Sequence, residues 1–214
     1  MKKSIAVLGL GRYGRSISEN LYEMGADVLV VDQDEKLVSE FSSKCTSALV
    51  ADLTVEDEVA SLGLKDMDIV VVSMADNLSA SIMSIAVAKE QNVPLVVAKA
   101  SSDRMASILL KVGADKILDP EGEGGFRSAR ILLSSSFNDF FKIDDNMYMV
   151  EMKPKKEWVG KSLVELDLRG RANLNVVAAR SKGEMWHFID PKKTISENTI
   201  LLIVMERKDM GKWH

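Results

Sequence analysis

Over its first ~120 residues the chain alternates short apolar runs with segments of helical period. Ile5–Leu8 reads as a strand and Arg12–Met24 as a helix; Val28–Val31 follows as a strand and Glu35–Lys44 as a helix. Ala48–Ala51, Ile69–Ser73, Leu95–Ala98 and Lys116–Leu118 continue the strands, with helices over Val55–Leu62, Leu78–Gln91 and Asp103–Val112 between them. The apolar runs are continuous and rich in Val, Ile and Leu rather than alternating, which predicts strands buried on both faces of a parallel sheet. Strand–helix alternation at this spacing predicts an α/β, Rossmann-type doubly wound fold. Gly25 and Gly113 fall where helices should stop, each opening a Gly-Ala-Asp run, and Pro94 stands before a strand.

The pattern then changes. Glu121–Gly125 reads as a flexible break and Phe126–Ser135 as a further helix ended by Ser134-Ser135-Ser136. Beyond ~140 come shorter strand-like runs, Met147–Met152, Asn175–Ala179, Met185–Phe188 and Ile200–Met205. The expected organisation is a large α/β domain over 1–122, a helix and linker over 123–139, and a small α+β domain over 140–214. A unit of roughly 70 residues buries little core, so dimerisation is expected to help it. Trp158, Trp186 and Trp213 all fall there and are expected to supply core area.

Composition narrows the class. At 46% hydrophobic and 28% charged, with net charge −4, the chain reads as an ordinary globular protein without the long basic tract of a nucleic-acid partner. The apolar run after Met1-Lys2-Lys3 is too short for a signal peptide, and no stretch approaches a bilayer span, so a cytosolic location is expected. A lone cysteine, Cys45, allows no internal disulfide and reads as apolar filler near a helix end; two histidines, His187 and His214, leave no His-based zinc site.

One motif carries chemistry. Gly9-Leu10-Gly11-Arg12-Tyr13-Gly14 matches G-x-G-x-x-G between a strand and a helix. The first glycine permits the turn, the second admits a pyrophosphate to the backbone, and the third lets helix and strand pack closely; the helix N-terminus offers free N–H groups and partial positive charge. Asp32 with Gln33 closes the second strand, where an acid binds ribose hydroxyls and repels a 2′-phosphate, against NADP. Other strand ends are polar too. Asp52 and Leu53 would border an adenine ring, Ala75, Asp76 and Asn77 follow the fourth strand, and Lys99 closes the fifth. Asp76 or Asn77 is equally expected to cap the long helix. Arg12 and Lys99 are placed to meet terminal phosphates, favouring an ATP/ADP-type ligand over a dinucleotide, and Glu121, with or without Asp119, to hold a divalent ion or close the site; solvated surface charge is the alternative for each.

Absences weigh as much. No histidine precedes His187 to serve as a proton-transfer residue, and no G-x-x-x-x-G-K-[ST] loop is present. A binding module is favoured over an NAD-dependent oxidoreductase or an S-adenosylmethionine-dependent methyltransferase-like protein.

The residues now carry a resemblance. Ile5–Gly14, Val30-Val31-Asp32, Lys99-Ala100, Gly113–Glu121, Gly160-Lys161-Ser162-Leu163 and Glu165–Arg169 resemble the RCK (KTN) regulatory subunits of Ktr/Trk-type potassium uptake systems, over essentially the whole chain. The resemblance implies a homodimer assembling into an octameric ring beneath a membrane-embedded potassium-translocating subunit, gated by ATP versus ADP or by NADH versus NAD. It implies Asp32 for ribose, Arg12 and Lys99 for terminal phosphates, and Glu121 for a divalent or sodium ion near the dimer interface. The Phe126–Ser135 helix would cross to the neighbouring protomer, or pack within its own chain. Some relatives bind cyclic di-AMP in the second domain. Arg169 and Arg171 lie near the corresponding loop, yet Arg169–Asn175 departs from the relatives' pattern, and exposed arginines are the competing reading.

Overall fold

The computed structural model describes residues 2–133, 137–181 and 183–212. Its chain divides into two units, Met1–Glu121 and Gly122–His214. The first unit runs β1 (Ser4–Leu8), α1 (Arg12–Glu23), β2 (Asp27–Asp32), α2 (Glu35–Phe41), β3 (Ser47–Val50), α3 (Glu56–Ala60), β4 (Ile69–Val72), α4 (Leu78–Glu90), β5 (Leu95–Lys99), α5 (Asp103–Val112) and β6 (Lys116–Leu118). The strands form one parallel sheet in the order β3-β2-β1-β4-β5-β6. The order reverses between β1 and β4, which opens a crevice at the carboxyl ends of the strands.

Alternate residues of each strand face opposite ways, and the core splits accordingly. Ala6, Leu8, Val70, Val72 and Ala98 pack with Val59, Ile85 and Leu109 from α3, α4 and α5. Ile5, Val7, Val28, Val30 and Val71 pack on the other face with Val38 and Phe41 of α2 and with Ile17 and Leu21 of α1. The expectation of burial on both faces fails at β3. That strand is an edge, and Leu49 and Val50 are exposed. An edge strand has a neighbour on one side only, and its helix covers one face.

Helix ends follow local chemistry. Asp34 caps α2 by accepting from Lys36 and Leu37 N–H, and Ser102 caps α5 through Met105 N–H. At the other end of α5, Gly113 stands at φ +128°, a setting that favours glycine. Cys45 is buried beside the carbonyls of Phe41 and Ser42, and burial pushes its thiol pKa up.

The second unit differs from expectation at its start. Helix α6 spans Pro120–Leu133, so the expected Glu121–Gly125 break is helical. Proline is well placed at a first helical position, and Glu121 and Glu123 sit in the turn whose partial positive charge favours acids. Phe126 then anchors the helix by packing at 5.7 Å from the Phe140 ring. That contact offsets part of the roughly 1 kcal/mol that each interior glycine costs a helix. The expected Ser134–Ser136 stop lies outside the described residues.

Beyond α6 come β7 (Phe137–Lys142), β8 (Met147–Met152), the short helices α7 (Leu163–Leu166) and α8 (Leu168–Ala172), β9 (Asn175–Ser181), β10 (His187–Phe188) and β11 (Thr199–Glu206). The strands form an antiparallel sheet ordered β10-β9-β11-β8-β7. Sequence patterning missed β7, which begins inside the expected linker, and α7, which a Ser162–Glu165 capping box nucleates. Phe140, Tyr148, Val150, Trp158, Leu201 and Ile203 form the core. Trp186 does not join it; its ring is partly exposed and carries the Arg180 guanidinium at 4.6 Å. Trp213 lies outside the described residues.

Candidate nucleotide-binding site

The loop after β1 is shaped by where its glycines sit. Gly9 stands at φ +98°, and a Cβ there would meet Met74 at 2.5 Å. A Cβ on Gly14 would lie 1.9 Å from the Gly9 carbonyl oxygen, so the start of α1 rests directly on the loop backbone. A Cβ on Gly11 would meet nothing within 4 Å. Two of the three glycines are therefore required by the protein's own packing. The third borders open space at the N-terminus of α1, which lacks both a side-chain cap and an acidic residue in its first turn. That leaves the first N–H groups of the helix without intrahelical partners, as an anion site requires.

Beside the loop lies an open pocket of about 120 Å³ lined by Asp32, Gln33, Asp52, Leu53, Thr54, Met74, Asn77 and Ala80. Asp32 faces two ways. Its Oδ2 accepts from Leu10 N–H at 2.6 Å and its Oδ1 from Asp34 N–H at 3.0 Å, tying β2 to the glycine loop. Asp52 Oδ1 accepts from both the N–H and the hydroxyl of Thr54 at 2.9 and 2.7 Å. The hydroxyl bond, then the backbone bond, hold the Asp52 carboxyl below the usual carboxylate range. Asn77 also caps α4, its Oδ1 accepting from Ala80 N–H at 3.0 Å. Both readings of Asn77 are thus compatible with one side chain. Ala75 follows Met74 but does not line the pocket; Met74, Thr54 and Ala80 complete the wall instead. Met74 and Ala80 escaped the sequence reading because they are apolar and carry no chemical signature.

The expected cations behave differently from one another. Arg12 is exposed at the loop and has no partner among the described residues. Lys99 is largely buried, sits with its Nζ 5.9 Å from the centre of the Tyr13 ring, and pairs with Glu121 at 2.6 Å. That bond holds the Glu121 carboxyl below its ordinary pKa. Among the described residues no cluster of three or more His, Cys, Asp or Glu side chains exists that would hold a metal. Glu121, the expected cation ligand, is bonded to an ammonium, and a cation there would need further oxygen ligands. In the second unit Arg169 and Arg171 are exposed on α8, and no helix among the described residues is long and apolar enough to cross a membrane.

Residues 5–120 match the TrkA-N domain. The chain is 33% identical to Ktr system potassium uptake protein C of Bacillus subtilis, covering 100% of this chain and 96% of that protein. It is 31% identical to Ktr system potassium uptake protein A of the same organism, covering 99% and 95%. A solved structure of the GsuK channel bound to NAD superposes with a TM-score of 0.67 at 15% identity, over 98% of this chain and 38% of that one; at that identity it speaks to the fold.

Proposed function

The chain belongs to the TrkA-N family and to the Ktr potassium uptake proteins within it, and on that premise we propose that it is the nucleotide-sensing regulatory subunit of a potassium uptake system. The observation that carries the proposal is the glycine loop, where Gly11 alone borders open space beside a pocket edged by Asp32 and Asp52. An adenine nucleotide fits that chemistry. Its phosphates would meet the loop amides and Arg12, its ribose Asp32 and Gln33, and its base the wall of Asp52, Leu53 and Asn77. Residues 1–122 would be the binding domain, 123–139 the crossover helix and linker, and 140–214 the small second domain.

The protein acts here as a switch and not as an enzyme. A nucleotide biases two arrangements only through its different affinity for each. ATP and ADP differ in phosphate count at the end of the site where Arg12 and Lys99 stand. A phosphate that reaches Lys99 competes with Glu121 for its ammonium, so phosphate binding and a weakened hold on that carboxylate are linked. Glu121 would then be free to join a cation together with phosphate oxygens or residues of a second copy. The partner is a membrane-embedded potassium-translocating subunit, with copies of this chain paired into dimers and a ring at the cytoplasmic face of the membrane. NAD(H) is the competing ligand class, since the GsuK channel binds NAD on a related fold.

Calorimetry with ATP, ADP, AMP, NAD and NADH on the purified chain, alongside light scattering for mass, tests this. Binding of ATP and ADP by an octamer is the expected result. Binding of NADH alone, or turnover of NADH with small carbonyl compounds, overturns the ATP/ADP assignment.

A further inference from the structure

The peptide between Gly9 and Leu10 is held on both sides by side chains from neighbouring strand ends. Its N–H donates to Asp32 Oδ2 at 2.6 Å, and its carbonyl oxygen accepts from the Ser73 hydroxyl at 2.6 Å. Ser73 follows β4 directly and is 7% exposed. Its hydroxyl also lies 3.1 Å from the Leu8 carbonyl. That carbonyl already accepts from Ser73 N–H at 2.9 Å. A hydroxyl has a single proton to give, and the shorter contact to Gly9 takes it.

Gly14 closes the same knot. A Cβ there would lie 2.6 Å from Ser73 Oγ as well as against the Gly9 carbonyl. Loop, α1 and β4 therefore meet at one carbonyl group. The N–H groups that follow that peptide run from Gly11 into the first turn of α1. Ser73 itself is not among the residues lining the pocket.

We propose that Ser73 is a positioning residue for phosphate recognition: its hydroxyl orients the Gly9–Leu10 peptide and, through it, the loop amides that receive the nucleotide's phosphates. The inference rests on the nucleotide reading above. It separates Ser73 from the residues of the pocket wall, because its influence falls on phosphates and not on the base or ribose.

The test is calorimetry on the full chain with ADP and with adenosine, for the native protein, S73A, S73T and S73C. Loss of one buried hydrogen bond corresponds to roughly a 3- to 10-fold change in affinity, so S73A weakens ADP by about that factor and adenosine by less than about twofold. S73T keeps the hydroxyl and restores ADP. S73C keeps a weak donor and falls between, which preserves the test if another variant does not fold. Unchanged ADP affinity in S73A overturns the positioning role and leaves the nucleotide reading intact. Equal losses for ADP and adenosine make Ser73 a packing residue and also overturn the role. Failure of the native chain to bind either ligand overturns both.

Discussion

The ammonium of Lys99 lies 2.6 Å from Oε1 of Glu121, the lysine side chain 13% and the glutamate 64% exposed. Sequence reading gave these two residues separate ligands, a phosphate and a cation, yet in the folded chain each neutralises the other. Removing the carboxylate frees the ammonium. Without divalent ions, Glu121→Gln should therefore bind ATP about two- to fivefold more tightly, the scale of a partly exposed ion pair. Titration in the presence of a chelator measures this, and unchanged affinity would show that Lys99 does not reach the phosphates.

Arg12 is exposed at the loop and unpaired among the described residues. Arg12→Ala should weaken ATP by roughly tenfold and AMP far less, on the scale of an exposed charge-assisted hydrogen bond. Parallel titrations give the ratio. Equal losses for the two nucleotides would place Arg12 away from the distal phosphates.

The glycines separate stability from binding. Gly14→Ala drives a methyl group into the Gly9 carbonyl, and overpacking of this kind costs about 1–3 kcal/mol. Gly11→Ala meets no protein atom within 4 Å. It should unfold at the native temperature while losing nucleotide affinity. Thermal unfolding and calorimetry on both variants check the contrast; a destabilised Gly11→Ala protein would contradict it.

In the second unit Phe140 is fully buried, its ring 5.1 Å from Tyr148. Phe140→Ala should cost about 3–5 kcal/mol of that unit's stability. Denaturant unfolding followed by tryptophan fluorescence reads it, and a change below about 1 kcal/mol would mean that the site collapses around the cavity.

Asp139 and Arg127 give a pH signature. Arg127 Nε donates to Asp139 Oδ1 at 2.8 Å, and the arginine's hydrogen bonding holds the Asp139 carboxyl below the usual carboxylate range. A depressed folded-state pKa contributes stability above the unfolded value of about 3.9 and loses it as pH falls through the lower folded value. The gap in unfolding temperature between the native protein and Arg127→Met should therefore be full at pH 6 and shrink on acidification below about pH 4. A gap independent of pH would assign the effect of Arg127 to packing, such as its contact with the Phe141 ring.

Much of the first unit was legible before folding. The patterns over Lys116–Leu118 and Asp103–Val112 match the observed bounds, because strand–helix alternation and a glycine at a helix end are local signals. The second unit was less so. Strand β7 holds three phenylalanines within Phe137–Lys142, of which Phe137 and Phe140 are buried and Phe141 is not; a bulged pairing with β8 disturbs the alternation that would have marked it. The start of helix α6 differs from expectation because glycine-rich sequence signals a break locally, whereas the Phe126–Phe140 contact joins the helix to a different element, β7.

For the site, the sequence alone determined the glycine loop, the acid that closes β2 and the polar residues at the strand ends. Those depend on residue type and short spacing. Only the tertiary structure decided that Gly11 borders open space while Gly9 and Gly14 are packed, that Lys99 is already paired with Glu121, and that Ser73 holds the Gly9 carbonyl. Each of these is a contact between elements brought together by sheet order and helix packing, and residue spacing along the chain carries no record of which atoms then meet.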